Sequence, residues 1–444
     1  PFAYPESVKP WRAVLLTARM TRMGRFLLIA MPFTGHVAPL TAVARQLVER
    51  GHDVRFYTGS RFRSRVEASG ARLVPWREAP DFDENDVSAT FPRLVGKKGM
   101  RQLFINVIDC FIGTAPAQVA DLTAEWEREP WDVLAADEMS LGAVLFSERH
   151  RMPWATVAVL PLNLPGPAGP PSGMGLRPGA NPVTKARDAA LRGLVPLVSR
   201  PLVAAIGDAE RAVGLQQSGR TMDRMVFSPT LIAASGSGLL DYGRTDRPTH
   251  LHFVGELAEQ TAASKPADLP SWWDELDGRR IVLVTQGTAN IDPDDLVRPS
   301  VTALADRDIL VVATTGVRGR DAFPFAVPSN ARVTGFAPFG ALLPRVDLAI
   351  TNGGWGGTLA SLARGVPLVV AGGDLDKPEV ASRVAWSGAG VNLRTGTPKA
   401  SAVAAAVDRV LGEASFRDAA ARVGAQLRSL GGAAHAAELL EGMR

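Results

Sequence analysis

The sequence predicts an α/β protein built from two open, doubly wound parallel sheets that face each other across a cleft. Its 444 residues exceed the roughly 250–300 residues that one hydrophobic core usually serves. Short apolar strands alternate with helical patterns from residue 25 onwards, and the same alternation restarts after residue 270. Such alternation is typical of parallel sheets with crossover helices, so we expect two domains of this kind.

The first half of the chain carries the pattern of one sheet. Strands are predicted at 25–30, 54–57, 72–75, 132–136 and 154–159, and helices at 40–48, 61–69 and 141–150. A stretch rich in proline and glycine, 161–182, is long for a simple connection and is therefore predicted to be a functional lid or binding loop, or else a disordered segment. Amphipathic helices interrupted by Pro196 and Pro201 are expected over 185–207.

The second half repeats the pattern. Strands are predicted at 281–285, 309–314, 331–334, 348–351, 368–371 and 391–393, and an alanine-rich helical segment at 401–443. We expect a disordered extension at 1–23, a first domain at 24–255, a linker at 256–270, a second domain at 271–425, and a terminal helix at 426–444 that packs back on the first domain.

Composition narrows the choice of partners. The net charge is +4 and the cationic residues are spread along the chain, so nucleic acid is not expected as a partner. The single cysteine, Cys110, allows no internal disulfide and suits a reducing cytoplasm. No run approaches the ~20 apolar residues of a membrane span, although the 185–207 helices leave peripheral membrane contact open. A monomer or homodimer is expected.

A glycine-rich segment joins a predicted strand to a predicted helix that begins near Thr358. Residues 351–358 read Thr-Asn-Gly-Gly-Trp-Gly-Gly-Thr. Glycines remove side chains that would keep an anion away, and a following helix adds the positive end of its dipole. Glycine also marks ordinary turns. Two open sheets place ligands at the carboxyl ends of their strands, which favours the anion site.

The order of motifs after this segment is specific. Gly365-Val366-Pro367 closes the helix, and Gly372-Gly373-Asp374-Leu375-Asp376-Lys377-Pro378-Glu379 follows the next strand. From residue 24 onwards the chain resembles the nucleotide-sugar-dependent glycosyltransferases of GT-B fold, in particular the macrolide, glycopeptide and plant natural-product family. The resemblance implies two Rossmann-like domains, an acceptor-binding first domain and a second domain that binds a nucleotide sugar.

The resemblance also implies donor-binding residues. Phe336 and Ala337 match the segment that stacks and hydrogen-bonds the base, and Asp376 and Lys377 match the Asp-Gln pair that binds the sugar hydroxyls. The residues expected to bind the diphosphate are Thr285, Gly287, Thr288, Asn352, Gly354, Gly356, Gly357 and Thr358.

Two departures from the family concern the donor. Asn352 stands where the family has histidine, which keeps a hydrogen-bond donor and loses a possible positive charge. Ala360 stands where the family has a glutamate that binds the ribose hydroxyls. Selection for a ribose 2′-hydroxyl is therefore weakened, so a dTDP-sugar becomes more plausible as donor and a UDP-sugar stays possible.

Catalysis is expected to depend on a histidine base. His36 matches the family's Gly-His-x-x-Pro motif at residues 35–39, and histidine suits this role because its pKa lies near neutrality. Asp137 is the expected carboxylate partner, with Glu138 as its rival. The implied reaction inverts the anomeric centre without a metal or other cofactor. Asp374-Leu375-Asp376 also spells the Asp-x-Asp of a manganese-dependent class, which is the alternative.

The acceptor is expected to be a small hydrophobic natural-product aglycone. Apolar side chains from 91–111 and from the proline-rich loop, namely Leu162, Leu164, Met174 and Leu176, are candidates for its pocket. Three other interpretations stay open: a nucleotide-sugar 2-epimerase of the same architecture, a non-catalytic auxiliary protein, and a membrane-surface glycosyltransferase with a lipid-linked acceptor.

Overall fold

The structure is a computed structural model that describes residues 23–97, 99–171, 173–258, 269–287, 292–317 and 319–444. It contains two α/β domains, each built on a parallel sheet, which confirms the predicted fold class. The predicted extension at 1–23, apart from Met23, lies outside the described residues, as do Thr288 and most of the predicted linker.

The first sheet has seven strands in the order β3-β2-β1-β4-β5-β6-β7, and its strand pairs are parallel. The strands are β1 (Arg25–Ile29), β2 (Asp53–Thr58), β3 (Arg72–Pro75), β4 (Val133–Ala136), β5 (Ala155–Ala158), β6 (Leu231–Ser235) and β7 (Leu251–Gly255). The strand order reverses between β1 and β4, which is where open sheets of this kind bind ligands.

Two of these strands, β6 and β7, were not predicted. Strand β6 contains Ala233 and Ala234, which are completely buried or nearly so. Alanine has a weak intrinsic preference for strands, so the local pattern did not indicate one. Pairing with β5 on one side and β7 on the other fixes the segment as a strand instead.

The helices of the first domain cover both faces of its sheet. They are α1 (Thr34–Glu49), α2 (Arg63–Ala68), α3 (Val87–Thr90), α4 (Gly99–Asn106), α5 (Ala115–Arg128), α6 (Leu141–His150), α7 (Pro182–Val198) and α8 (Arg200–Ala212), with a π-helical turn (Val107–Ile112) after α4. The predicted interruption at Pro196 is wrong, because α7 continues through that residue.

Helix α1 begins at Thr34, well before the predicted start at residue 40. The Glu84 carboxylate accepts the Thr34 backbone N–H at 2.7 Å and also the Thr34 hydroxyl. This partner from a distant loop satisfies a first-turn donor that the helix itself leaves open. The sequence pattern could not show it. His36 therefore lies in the first turn of α1 instead of in a loop.

The second sheet has six strands in the order β10-β9-β8-β11-β12-β13, again with parallel pairs. They are β8 (Ile281–Thr285), β9 (Leu310–Thr314), β10 (Ala331–Thr334), β11 (Leu348–Thr351), β12 (Leu368–Val370) and β13 (Gly390–Asn392). The helices in this half of the chain are α9 (Val297–Ala303), α10 (Phe339–Leu342), α11 (Trp355–Ala363), α12 (Lys377–Ser387), α13 (Ala400–Gly412), α14 (Ala414–Ser429) and α15 (Gly432–Glu441).

The C-terminal helix α15 belongs to the core of the first domain. Ala436, Ala437 and Leu440 are completely buried in a cluster that also contains Phe26 of β1 and Leu40 of α1. At the rim, Arg50 and His52 bond the Glu441 carboxylate at 3.1 and 2.6 Å. The chain thus crosses between the domains a second time.

Within the described residues, the helical run Arg101–Arg128 is long and apolar enough to be considered as a membrane span, and so is the bent pair Pro182–Val198 and Arg200–Ala212 if it is counted as one. Of the apolar window in Arg101–Arg128, 44% is buried inside the protein. Core helices meet the same criteria, so these helices give only weak indication of a span.

Candidate active site

His36 and Asp137 lie side by side at the carboxyl ends of the neighbouring strands β1 and β4. The imidazole Nδ1 is 3.0 Å from Asp137 Oδ2, and the Asp137 carboxylate also accepts the backbone N–H groups of Met31 and Met139, each at 2.7 Å. Because an ionised carboxylate only accepts hydrogen bonds, Nδ1 carries the hydrogen. The other ring nitrogen, Nε2, is then the basic atom of the neutral histidine.

The surroundings of His36 change its pKa in opposite directions. Burial lowers it, whereas the charge and hydrogen bond of Asp137 and the charges of Glu138 and Asp376 raise it, and the net result is a pKa above the ordinary value. Asp376 lies at the start of α12 in the second domain, so charges from both domains act on the pKa of this histidine.

Glu138, the rival carboxylate, has a different set of partners. It accepts the backbone N–H of Val159 at 3.0 Å and that of Leu160 at 2.7 Å, so it joins the end of β4 to the end of β5. Burial and the neighbouring Asp137 charge raise the pKa of Glu138 to about 7. Asp137, and not Glu138, makes the hydrogen bond to the imidazole.

The glycine segment forms the start of α11. Gly353 has a φ of 93°, a conformation that favours glycine, and the helix begins at Trp355, so the predicted start near Thr358 is wrong. The N–H groups of Trp355, Gly356 and Gly357 have no acceptor within the helix. A Cβ atom added at Gly356 or Gly357 would meet nothing within 4 Å. The first turn of α11 is therefore open at Gly356 and Gly357, at the positive end of the helix dipole.

The Asn352 side chain connects this turn to the segment that follows β8. Its Nδ2 donates to the Gln286 carbonyl at 2.5 Å, and its Oδ1 accepts the Gly354 N–H at 3.4 Å. The side chain is 8% exposed. Asn352 thus joins the segments after β8 and β11, which explains why an amide with both a donor and an acceptor fits here.

The other predicted diphosphate residues lie beside it. The Thr285 hydroxyl accepts hydrogen bonds from the Thr314 hydroxyl at 3.0 Å and the Gly287 N–H at 3.3 Å, so it shapes the loop. A Cβ at Gly287 would meet nothing within 4 Å. The buried Thr358 hydroxyl has no hydrogen-bond partner among the described residues. Thr288 lies outside them.

Asp376 and Lys377 begin α12 after the strand β12. Burial raises the pKa of Asp376, while the nearby charges of Lys377 and His36 act against it. The Lys377 ammonium lies 2.7 Å from an Asp374 carboxylate oxygen. Phe336 follows β10 and is 46% exposed, whereas Ala337 is buried in the core of the second domain. An exposed ring of this kind offers a face for stacking.

Comparison with known proteins finds similar sequences over nearly the whole chain. The model of the family "Erythromycin biosynthesis protein CIII-like, C-terminal domain" matches residues 299–441. The chain is 39% identical to 4'-demethylrebeccamycin synthase of Lentzea aerocolonigenes, over 94% of this chain and 99% of that protein. It is 32% identical to UDP-glucosyltransferase B1 of Starmerella bombicola, over 90% of this chain and 93% of that protein.

The chain is a GT-B glycosyltransferase. Among solved structures, the glycosyltransferase VinC in complex with dTDP superposes with a TM-score of 0.65 at 20% identity, covering 94% of this chain and 99% of VinC. Both predictions, the family and its fold, are confirmed by these comparisons.

In the first domain of this glycosyltransferase, the Phe33 ring lies next to His36 and contacts two further aromatic rings. The Phe33 ring centre is 5.9 Å from that of His36, 5.2 Å from that of Phe82 and 5.7 Å from that of Phe111. Phe33 and Phe82 were not predicted as site residues. Phe33 lies on the same short segment as His36, and that proximity was the available signal.

The apolar residues predicted to line the acceptor pocket divide into two groups. Phe91, Phe111 and Leu162 are buried in the first domain, whereas Met174 is 47% exposed. A cavity of about 560 Å³ lies between the π-helical turn, the start of α5 and α8, and Phe91, Ile108 and Ile112 line part of it. Apolar space is therefore present in the first domain of the glycosyltransferase.

Metal ligands are not grouped in the part of the glycosyltransferase that the structure describes. Within it, no cluster of three or more His, Cys, Asp or Glu side chains is placed to hold an ion. Asp374 of the Asp-x-Asp sequence is instead paired with Lys377.

Cys110 is buried and the pKa of its thiol is raised by desolvation, which suits a core side chain.

Proposed function

We propose that this glycosyltransferase moves a sugar from a dTDP- or UDP-sugar to a hydroxyl group of a small hydrophobic natural-product aglycone. The observation that carries the proposal is the hydrogen-bonded His36–Asp137 pair at the carboxyl ends of β1 and β4, in the domain that the start of α11 contacts through a 2.9 Å hydrogen bond from Trp355 Nε1 to the Ser235 hydroxyl. A base on one wall and a donor cradle on the other are the two parts that an in-line displacement requires.

In the proposed step His36 Nε2 takes the proton of the acceptor hydroxyl as its oxygen attacks the anomeric carbon. The bond from that carbon to the diphosphate oxygen breaks on the opposite face, so the configuration inverts. Asp137, which holds the imidazole through Nδ1, stabilises the imidazolium that forms. General-base catalysis of this kind contributes roughly 10²–10⁴-fold to the rate.

In the proposed step, the negative charge that develops on the leaving diphosphate lies at the first turn of α11. The N–H groups of Trp355, Gly356 and Gly357, which have no acceptor within the helix, are suited to a diphosphate anion together with the helix dipole. The unpartnered Thr358 hydroxyl adds a donor that needs an acceptor. These groups supply the charge stabilisation for which other enzymes use a metal, so we propose a metal-independent reaction.

The presence of Ala360 on α11 supports a dTDP-sugar as the first choice of donor. A dTDP-sugar lacks the ribose 2′-hydroxyl for which the family uses a glutamate, and the structural neighbour VinC was solved with dTDP. A UDP-sugar is the second choice of donor, because relatives such as UDP-glucosyltransferase B1 are named for UDP.

A donor and acceptor screen tests the proposed function. Purified protein is incubated with UDP-, dTDP- and GDP-sugars and a panel of polyketide and flavonoid aglycones, with and without excess chelator, and the products are identified by mass spectrometry. A glycosylated aglycone of inverted configuration, formed equally with chelator, is expected. Release of an epimerised sugar without an acceptor would identify an epimerase instead, and activity lost with chelator would contradict the metal-independent step.

The pH profile should show an acid limb from His36. Because the raised pKa keeps the ring protonated to higher pH, and only the neutral ring accepts a proton, kcat/KM is expected to fall as the pH decreases through a value above 6.5. Glu138→Gln removes one of the charges that raise the His36 pKa, so the limb should move to lower pH. A limb that stays in place or moves upward would contradict this assignment.

Replacing Ala360 with glutamate should change the nucleotide preference. A carboxylate at this position offers acceptors to both ribose hydroxyls of UDP, and a hydrogen bond to a charged group is worth enough to raise UDP affinity relative to dTDP by about tenfold. Isothermal titration calorimetry of both nucleotides with Ala360→Glu and the unchanged protein measures this ratio. Equal or tighter binding of UDP by the unchanged protein would remove support for a dTDP-sugar.

A further inference from the structure

A buried charged cluster holds helix α12 against the first domain, and the proposed reaction does not use it. We call Asp241, Glu379 and Arg383 the interdomain cluster; these residues are 1%, 4% and 3% exposed. Asp241 follows β6 in the first domain, whereas Glu379 and Arg383 lie on α12 in the second. The cluster therefore spans the boundary between the domains.

The Arg383 guanidinium is the centre of the interdomain cluster. Its Nε donates to Glu379 Oε1 at 2.9 Å and its Nη1 to Asp241 Oδ1 at 3.1 Å. Its Nη1 also reaches the Leu240 carbonyl at 3.2 Å, and its Nη2 reaches the Leu162 carbonyl at 2.6 Å. Three of the four acceptors belong to the first domain. A planar fork with fixed donor directions defines one orientation of its partners.

Glu379 extends the cluster to a second segment of the first domain. Its Oε2 accepts the Gly175 N–H at 3.2 Å. A Cβ at Gly175 would lie 2.8 Å from the Pro378 Cβ and 2.8 Å from the Pro378 carbonyl oxygen. The backbone at Gly175 therefore packs directly on the first turn of α12, beside the residues Asp376 and Lys377.

Together with Arg247, the interdomain cluster has equal numbers of positive and negative groups. Removing such charged groups from water costs free energy. Asp241 also accepts a hydrogen bond from Arg247 at 2.7 Å, so two arginines meet two carboxylates. Buried ion pairs of this kind rarely stabilise a protein more than apolar side chains of the same size would. What such a cluster supplies is a fixed geometry between the two surfaces that it joins, and here those surfaces are the sugar-binding helix and the acceptor domain.

We propose that Arg383, with Glu379 and Asp241, is a positioning residue that sets the sugar-binding start of α12 relative to His36. The proposal rests on the proposed function, because it concerns the meeting of donor sugar and acceptor. Arg383 lies about two helical turns beyond Asp376 and is 3% exposed, so it is proposed to act through the placement of the helix.

The expected consequence is a change in how the donor is used. A displacement of about 1 Å between reacting groups costs on the order of 100-fold in rate, and this penalty applies to a large acceptor that needs one orientation. Water is small and can approach from several directions, so hydrolysis of the donor should suffer less. The nucleotide is held by α11 and should bind as before. Loss of the cluster should therefore raise hydrolysis relative to transfer.

The test compares Arg383→Lys, Arg383→Met, Glu379→Gln and Asp241→Asn with Arg364→Met as the matched control. Arg364 forms another ion pair between α11 and the end of the first domain, with Glu256, but does not touch α12. Transfer, donor hydrolysis and nucleoside diphosphate affinity are measured for each, and the spacing of the domains is measured between spin labels placed on each of them.

The Arg383→Lys variant is expected to raise the ratio of hydrolysis to transfer by about tenfold or more, to change nucleoside diphosphate affinity by less than about threefold, and to broaden the label distance distribution. Arg364→Met should leave the ratio unchanged. An unchanged ratio in the cluster variants, or equal losses of hydrolysis and transfer, would overturn the proposal. If the arginine variants do not fold, the ratio of hydrolysis to transfer in Glu379→Gln and Asp241→Asn tests the proposal instead. Failure of the proposed function would instead show as no transfer by the unchanged protein.

Discussion

Replacing His36 with alanine is expected to reduce sugar transfer by about 10²–10⁴-fold, because the acceptor hydroxyl loses its general base. The donor is proposed to bind to the other domain, so binding of the nucleotide sugar should be nearly unchanged. Single-turnover transfer assays and calorimetry of nucleoside diphosphate binding measure the two effects separately.

His435 provides a control for this substitution. It is an exposed histidine of α15 that contacts Glu438 and lies outside the proposed site, so His435→Ala should transfer sugar like the unchanged protein. Turnover close to the unchanged rate in His36→Ala would exclude His36 as the base. Loss of nucleotide binding in that variant would show instead that His36 holds the donor.

Replacing Gly356 with aspartate is expected to abolish donor binding without harming the fold. A Cβ atom added there meets nothing within 4 Å, and an acidic group in the first turn of a helix is favourable by about 0.3–1 kcal/mol. The same carboxylate would stand where the diphosphate is proposed to bind. Repulsion between like charges costs several kcal/mol, so donor affinity should fall by more than about 100-fold.

Thermal unfolding and calorimetry distinguish the two halves of this prediction. Gly193→Asp on α7 is the matched control, because a Cβ there also meets nothing within 4 Å and the position is not part of the donor cradle. It should bind nucleoside diphosphate normally. Undiminished binding by Gly356→Asp would mean that the first turn of α11 does not hold the diphosphate.

The sequence could predict the fold because strands and helices alternate with clear local signals. The carboxyl ends of β1 and β4 could also be identified as neighbours of a site, since His36 and Asp137 each follow a buried strand, and the structure places their side chains 3.0 Å apart. The choice between Asp137 and Glu138 depended on the direction of two adjacent side chains, which the structure supplies.

Other features depend on contacts between distant parts of the chain, and no local pattern reports these. The early start of α1 needs Glu84, fifty residues further on. The role of Asn352 as a brace needs the Gln286 carbonyl. The interdomain cluster joins Asp241 to Arg383, and neither residue stands in a motif that would have paired them.

The location of α15 determines when the first domain can finish folding. Synthesis releases the residues of β1 and α1 early, yet Ala436, Ala437 and Leu440, which complete their core, leave the ribosome only after the whole second domain has been made. Until then an apolar strip next to Phe26 and Leu40 stays open to solvent. A stop codon just before residue 432 would therefore damage the first domain, although it lies after the second. A chimera that exchanges the first domains of two such enzymes must carry the last helix along with it.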